Sequence, residues 1–325
     1  MNGLDGANGM NDRENQTIQN APELLGREVA PLGEIIEAYP MNGCASGDRK
    51  YKVHFHGYDS AYLLRLFGES SLSLKRAEFE ALHRMQALTV HCSRPIAMGR
   101  WGTEGLYFLL VSYIDGTDAG QALPLSSKPQ QLRIGMQAGE ELRRIRCHSA
   151  PAGTEDWRSR YRRRTERELE LLQKHGISSR GLEAAAEKIR SAAGLTEKRP
   201  SAFLHGNFDP AHLIVQGGRL TGVIGFGRFG WGDPLYDFAR LGLHSRSVSP
   251  LFCTGQILGY HGGQEPGREF WGFYALYAAS GAVSLAAESL GRPREELFTA
   301  IELADRLAAD HDGFADDSPS WFGVL

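Results

Sequence analysis

Four side chains able to do chemistry fall within the eight residues "HGNFDPAH": His205, Asn207, Asp209 and His212. An aspartate three positions before a histidine is a pairing that can move a proton, the imidazole as acid or base and the carboxylate as its partner. Asn207 carries a carboxamide, which donates and accepts hydrogen bonds but is a very poor base. His212 could also ligate a softer metal such as Mn²⁺ or Zn²⁺. Further on comes a bare Gly225, then Asp233 and Asp237 in "WGDPLYD".

Such residues need elements to hold them. Directly after His212 the segments "HLIVQ" and "LTGVIGF" read as two short strands, joined at Gly217-Gly218 by a two-residue hairpin turn. The front of the chain has strand character in "REVAPLGEIIEA", "YKVHFHG", "AYLLRLFG", "RPIAMGRW" and "LYFLLVSYIDG". Between the third and fourth, Leu74, Ala77, Ala81, Leu82, Met85 and Leu88 recur at helical spacing. This predicts a sheet of about five strands carrying one helix. The back half is mainly helical. "KPQQLRIGMQAGEELRRIRCH" is one helix, with Leu132, Met136, Ala138, Leu142 and Ile145 inward. "TEDWRSRYRRRTERELELLQKHG" is a second, from Thr154 as N-cap to Gly176 as stop, and "GLEAAAEKIRSAAG" is a third. Pro234–Leu241, Phe270–Leu290 and Pro293–Ala309 complete the bundle.

Length and composition set the outer limits. A chain of 325 residues is long enough for two units of roughly 100–200 residues each. The net charge of −3 gives no basic field that would draw it to nucleic acid. Four cysteines without a CxxC pair argue against a zinc site or disulfide framework and for a reducing, cytoplasmic setting. Residues 1–22 have neither a basic start nor an apolar run, so they read as a disordered leader rather than a signal peptide. Phe270–Ala287 carries no charge and approaches the length of a membrane span. Its Gly, Ala and Ser content and the lack of flanking basic asymmetry make it a buried core helix instead, and no membrane partner is expected. The basic run at Arg158, Arg160, Arg162, Arg163, Arg164 and Arg167 is followed by Glu166, Glu168 and Glu170 at helical spacing. It reads as a solvated, ion-paired face rather than a nucleic-acid surface.

"HG" at 205–206, the hairpin, "VIGF" and "WGDPLYDFARL", with "SGDRKYKV", "LLRLF", "KRAEFEALHRM" and "SRPIAMG" ahead of them, together resemble the aminoglycoside phosphotransferase family, which shares the protein-kinase fold. The resemblance runs from about Leu25 to Leu307. It implies an α+β, two-lobed fold: a small N-terminal β lobe with one helix over 23–114, a larger helical lobe over 115–309 and a tail over 310–325. It also implies positions. Asn207 stands at the catalytic aspartate, His212 at the Mg²⁺-binding asparagine and Gly225 at the second, essential Mg²⁺-binding aspartate. Arg65 stands at the strand lysine, expected to hold phosphate and to pair with Glu78. Ser112 and Ile114 join Arg65, Glu78 and Gly225 among the cofactor-binding positions, and residues 42–53 occupy the phosphate-covering loop. Asp209 lies where relatives often carry a basic side chain, and a carboxylate there would repel a nucleotide. Asp233 and Asp237 match the family as structural residues.

Two readings follow. In the first the chain is a pseudokinase of this type, with no metal, ATP or Mg²⁺ expected, acting as a small-molecule binder or as a scaffold or regulator of a partner enzyme. In the alternative, Asp209 and His212 act as non-standard groups in an active small-molecule phosphotransferase that does use ATP and Mg²⁺, or in a transferase of other chemistry. His205 is expected to brace the loop by bonding to backbone.

Overall fold

The computed structural model describes residues 24–41, 47–102 and 105–323. The expected leader, the start of the 42–53 loop with Cys44, and the last two residues of the tail lie outside the described residues. The chain divides into two units, one running up to Gln86 and including Cys92–Ile114, the other formed by Ala87–His91 and everything from Asp115 onward. The excursion at 87–91 has a physical anchor. The His91 amide donates to Glu141 Oε2 at 3.0 Å, its ring contacts Glu141 Oε1 at 2.7 Å, and its carbonyl accepts from the Val223 amide at 2.8 Å.

The first unit is an antiparallel sheet of β1 (Glu28–Val29), β2 (Gly33–Met41), β3 (Arg49–Phe55), β4 (Tyr62–Gly68), β5 (Pro95–Trp101) and β6 (Leu106–Ser112), in the order β1-β2-β3-β4-β6-β5. The sheet has six strands where about five were expected, because "REVAPLGEIIEA" folds as a hairpin of β1 on β2. Alternation sends Tyr51, Val53 and Phe55 of β3 and Tyr62, Leu64 and Leu66 of β4 into one apolar cluster. Arg65 therefore points to the other face. The helix α1 (Leu72–Ala87) buries Lys75, Glu78, Ala81, Leu82 and Met85. Leu74, expected inward, is 52% exposed. The buried stripe starts at position 75, and two charged residues join it because they have partners there.

The second unit holds β7 (Thr117–Asp118), α2 (Ala119–Ala122), α3 (Lys128–Ile145), α4 (Trp157–Lys174), α5 (Arg180–Ser191), β8 (Ala202–Leu204), β9 (Leu213–Gln216), β10 (Arg219–Val223), β11 (Gly230–Gly232), α6 (Arg246–Val248), α7 (Pro250–Tyr260), α8 (Arg268–Glu288) and α9 (Arg294–Asp310). The N-cap of α4 is Asp156, whose side chain accepts from the Ser159 amide, rather than Thr154. The β9–β10 hairpin turns at Gly217 and Gly218, both at positive φ. Helix α7 was not foreseen. It packs on α3 through Gly135 and Gly139 against Gly255 and Gly259; a Cβ on any of the four would run into the facing backbone at under 3.0 Å. By length and composition α8 could cross a membrane, yet 83% of its apolar window is buried inside the protein, so it is a core helix. The tail turns back on the same unit, with Trp321 buried near Tyr274 and Phe322 against Trp271.

Candidate functional site

The loop His205–Asp209 leaves β8, which pairs with β11, and ends in a 3₁₀ turn, Pro210–His212, that enters β9. Asp237 holds its start: Oδ2 accepts from the His205 amide and Oδ1 from the Gly206 amide, each at 2.8 Å. Burial pushes the Asp237 carboxyl up to about 6, against the pull of those two amides. Gly206 has φ +78, and a Cβ there would strike the Arg228 carbonyl, so only glycine fits. His205 is fully buried. Its Nε2 lies 2.9 Å from the Ile224 carbonyl, and its Nδ1 accepts from the Asn207 amide at 3.3 Å. That network assigns the neutral Nε2–H tautomer. Burial, and next the neighbouring His212, push this imidazole down to about 4. His205 is thus a brace. Phe208 and Phe226 pack edge-on against its ring and are themselves buried.

Asn207, Asp209, His212 and Gly225 come together. Asp209 caps the 3₁₀ turn, with Oδ1 accepting from the Ala211 amide at 3.0 Å, and the same oxygen lies 2.9 Å from His212 Nδ1. Burial alone would raise the Asp209 carboxyl; the bond and charge of His212, and the charge of His244, hold it below its ordinary value. With Nδ1–H donating to Asp209, His212 Nε2 keeps its lone pair, and the Asn207 carboxamide nitrogen stands 3.2 Å from both ring nitrogens. Asp209 is thus paired with His212, as the spacing suggests, and tied to the turn it begins.

Gly225 sits at φ +86, opening a 3₁₀ turn over Phe226–Arg228. A Cβ built on it would meet His212 Cδ2 at under 3.0 Å, Nε2 at 3.1 Å and Cγ at 3.2 Å. The imidazole fills the space into which a side chain at 225 would extend. Asp233 is fully buried, taking hydrogen bonds from Arg199, from the Tyr277 hydroxyl at 2.7 Å and from the Leu235 amide at 3.0 Å.

In the first unit Arg65 donates through Nη1 to Glu78 Oε1 at 2.6 Å, the expected pair. Two residues not singled out from the sequence join it. Asp48 Oδ2 accepts from Arg65 Nε at 3.0 Å, from Arg65 Nη2 at 2.6 Å and from Lys75 Nζ at 2.6 Å. Lys75 also stands 3.6 Å from Glu78 Oε2. The four side chains are at most 12% exposed and form a group of two cations and two carboxylates. Burial opposes the charge on Arg65, but Glu78 and Asp48 overcome it and raise its pKa. Asp48 is likewise held below its ordinary value, the bonds from Lys75 and Arg65 outweighing burial. The only sequence signal for Asp48 was its place in "SGDRK". Ser112 ends β6, where its Oγ accepts from the Arg94 amide at 2.8 Å, and Ile114 is the last residue of its unit.

A kinase-like class of protein is defined by this antiparallel sheet with its charged helix, the braced loop and the hairpin behind it. The model of the phosphotransferase enzyme family (APH) matches residues 42–274, well over half the chain, and the chain belongs to that family. No curated protein sequence matches it. Among solved structures it is similar to a thermostable mutant of aminoglycoside phosphotransferase APH(4)-Ia in ternary complex with AMP-PNP and hygromycin B, with 14% identity over 88% of this chain and 96% of that one, and a TM-score of 0.65. A GDP complex of an aminoglycoside 2'-phosphotransferase-IIIa mutant shares 16% identity over 93% and 97%, with a TM-score of 0.64. The ADP-bound aminoglycoside phosphotransferase APH(2'')-Ib shares 17% over 84% and 93%, with a TM-score of 0.57. At these identities the likeness is one of fold.

Proposed function

We propose that this chain is a pseudokinase of its family, which does not transfer phosphoryl groups and acts as a small-molecule binder or as a scaffold or regulator of a partner enzyme. The observation that carries this reading is the His212 ring in the space of a 225 side chain. The family resemblance puts a Mg²⁺-binding carboxylate at 225, and a side chain there would run into the ring where it stands. The donors that remain do not suit a hard cation that wants near-octahedral oxygen. Asp209 and His212 are bonded to each other, and Asn207 faces the ring. A kinase works by positioning and by neutralising charge on the moving phosphoryl group, so loss of the ion removes the main catalytic term. The Arg65 cluster supports the same reading, because an incoming phosphate would have to displace Asp48 from an already balanced group.

The direct test is transfer of radiolabelled γ-phosphate from ATP, with Mg²⁺ or Mn²⁺, onto an acceptor panel that includes hygromycin B and the chain itself. No transfer is the expected result. One observation favours a second reading, an active transferase: Asp209 orients His212 at 2.9 Å as a carboxylate orients a catalytic imidazole. Label transfer that disappears in His212→Ala or Asp209→Ala would establish that alternative and end the pseudokinase reading.

A further inference from the structure

The second unit carries an open surface groove with a volume of about 410 Å³. It is bordered by the turn after Gly225, by the π-helical turn Leu241–Ser245, by the end of α8 and by α9. Its wall carries three arginines and three glutamates, so it is formally neutral. Four of these six are already matched: Arg240 bonds Glu288 at 2.7 Å, and Arg292 bonds Glu296 at 3.2 Å. Arg228 and Glu295 remain. Neither side chain has an ion pair or hydrogen bond among the described residues. His244, also on the wall, has a ring without a hydrogen-bond partner there and sits close enough to Asp209 to act on its charge. Leu285 and Leu303 supply apolar surface.

We infer that this groove binds a small zwitterion, with its carboxylate or phosphate against Arg228 and its ammonium against Glu295. The inference rests on the binder reading above and names the ligand class for it. A guanidinium presents a planar fork that suits either oxyanion. An aliphatic spacer between the two ends would lie on the leucines. A polycation, such as the aminoglycosides named with the similar structures, would satisfy Glu295 but would face an unmatched Arg228. A simple dianion would satisfy Arg228 and face Glu295. Only a ligand with both signs matches both walls.

Calorimetric titration of the full chain with four probes tests this: γ-aminobutyrate, phosphoethanolamine, spermidine and inorganic phosphate. At least one of the two zwitterions should bind ten times more tightly than spermidine or inorganic phosphate. Which of them binds shows whether the anionic end is carboxylate or phosphate. Arg228→Ala and Glu295→Ala should each weaken that binding about tenfold, while Arg167→Ala, on the exposed face of α4, should leave it unchanged. Both test residues are exposed, and circular dichroism checks that the variants fold. Spermidine binding as tightly as a zwitterion, no zwitterion binding, or binding indifferent to both substitutions would overturn the assignment. Phosphoryl transfer onto a bound zwitterion would instead end the pseudokinase reading and leave the groove assignment standing.

Discussion

The Asp48–Arg65–Lys75–Glu78 cluster and the His205–His212 loop are both closed on themselves, one by charge and the other by shape. In the first, the ion pair that the family resemblance calls for is present and two more ions are added, so two positive and two negative groups balance in a buried setting. In the second, an amide, an imidazole and a glycine meet, and the imidazole fills the room that the glycine leaves. A charge balance is sensitive to the loss of any one member. A shape match is sensitive to added atoms. The two regions should therefore respond to different substitutions, and that difference can be measured.

The largest effect is expected in the cluster. Asp48→Ala leaves Arg65 and Lys75 with one carboxylate between them, and breaking a buried pair in this way costs about 3–5 kcal/mol. Adding Lys75→Met restores neutrality and should recover at least half of the loss in urea denaturation. A double variant no better than the single one would show that charge balance is not what holds the group. In the loop, Gly225→Ala adds one carbon at positive φ against His212. Backbone strain and overpacking together should cost ~2–4 kcal/mol. Combining it with His212→Ala should cost less than the sum of the two single changes; simple additivity would mean the ring and the glycine are not matched.

Acid titration separates two groups that hold the same loop. His205, held near 4 against an ordinary 6.5, contributes stability that is complete above 6.5 and is lost as pH falls toward 4. Asp237, raised from 3.8 to about 6, has the opposite slope: its contribution is present at low pH and is lost as pH rises through 6. Between 4 and 6 the two slopes oppose. Asp237→Asn removes one of them, so the variant should lose on the order of 2 kcal/mol more than the parent chain between pH 6.5 and 4. Parallel stability curves would show that the two groups do not oppose each other. The smallest effect belongs to Leu74→Ser on the outer face of α1, which should change stability by less than ~0.5 kcal/mol. Met85→Ala, on the buried face, should cost ~2–5 kcal/mol. A large effect at Leu74 would place the buried stripe elsewhere.

The fold was largely legible from the residues. The alternation in "YKVHF" and "YLLRL", the Gly217-Gly218 turn and the apolar run of α8 each led to an element that is present. What escaped has physical causes. Helix α7 has little amphipathic pattern because it is buried nearly all round, and its contact with α3 is made by glycines, which carry no hydrophobic signal. The α1 stripe differs from its apolar spacing at Leu74 because buried Lys75 and Glu78 look like surface residues until Asp48 and Arg65 are placed beside them. In the loop the substituted positions were readable one by one. That His212 and Gly225 share a single space was not, because it depends on two chain segments thirteen residues apart meeting behind the hairpin.

The central claim is that this loop has no seat for a divalent cation. Nucleotide binding measured with and without Mg²⁺ tests it, on the native chain and on a variant combining Asn207→Asp, His212→Asn and Gly225→Asp. The native chain should show no Mg²⁺-dependent binding of ATP, and the triple variant should acquire it. Tight Mg²⁺-dependent binding by the native chain, lost on His212→Ala, would contradict the account.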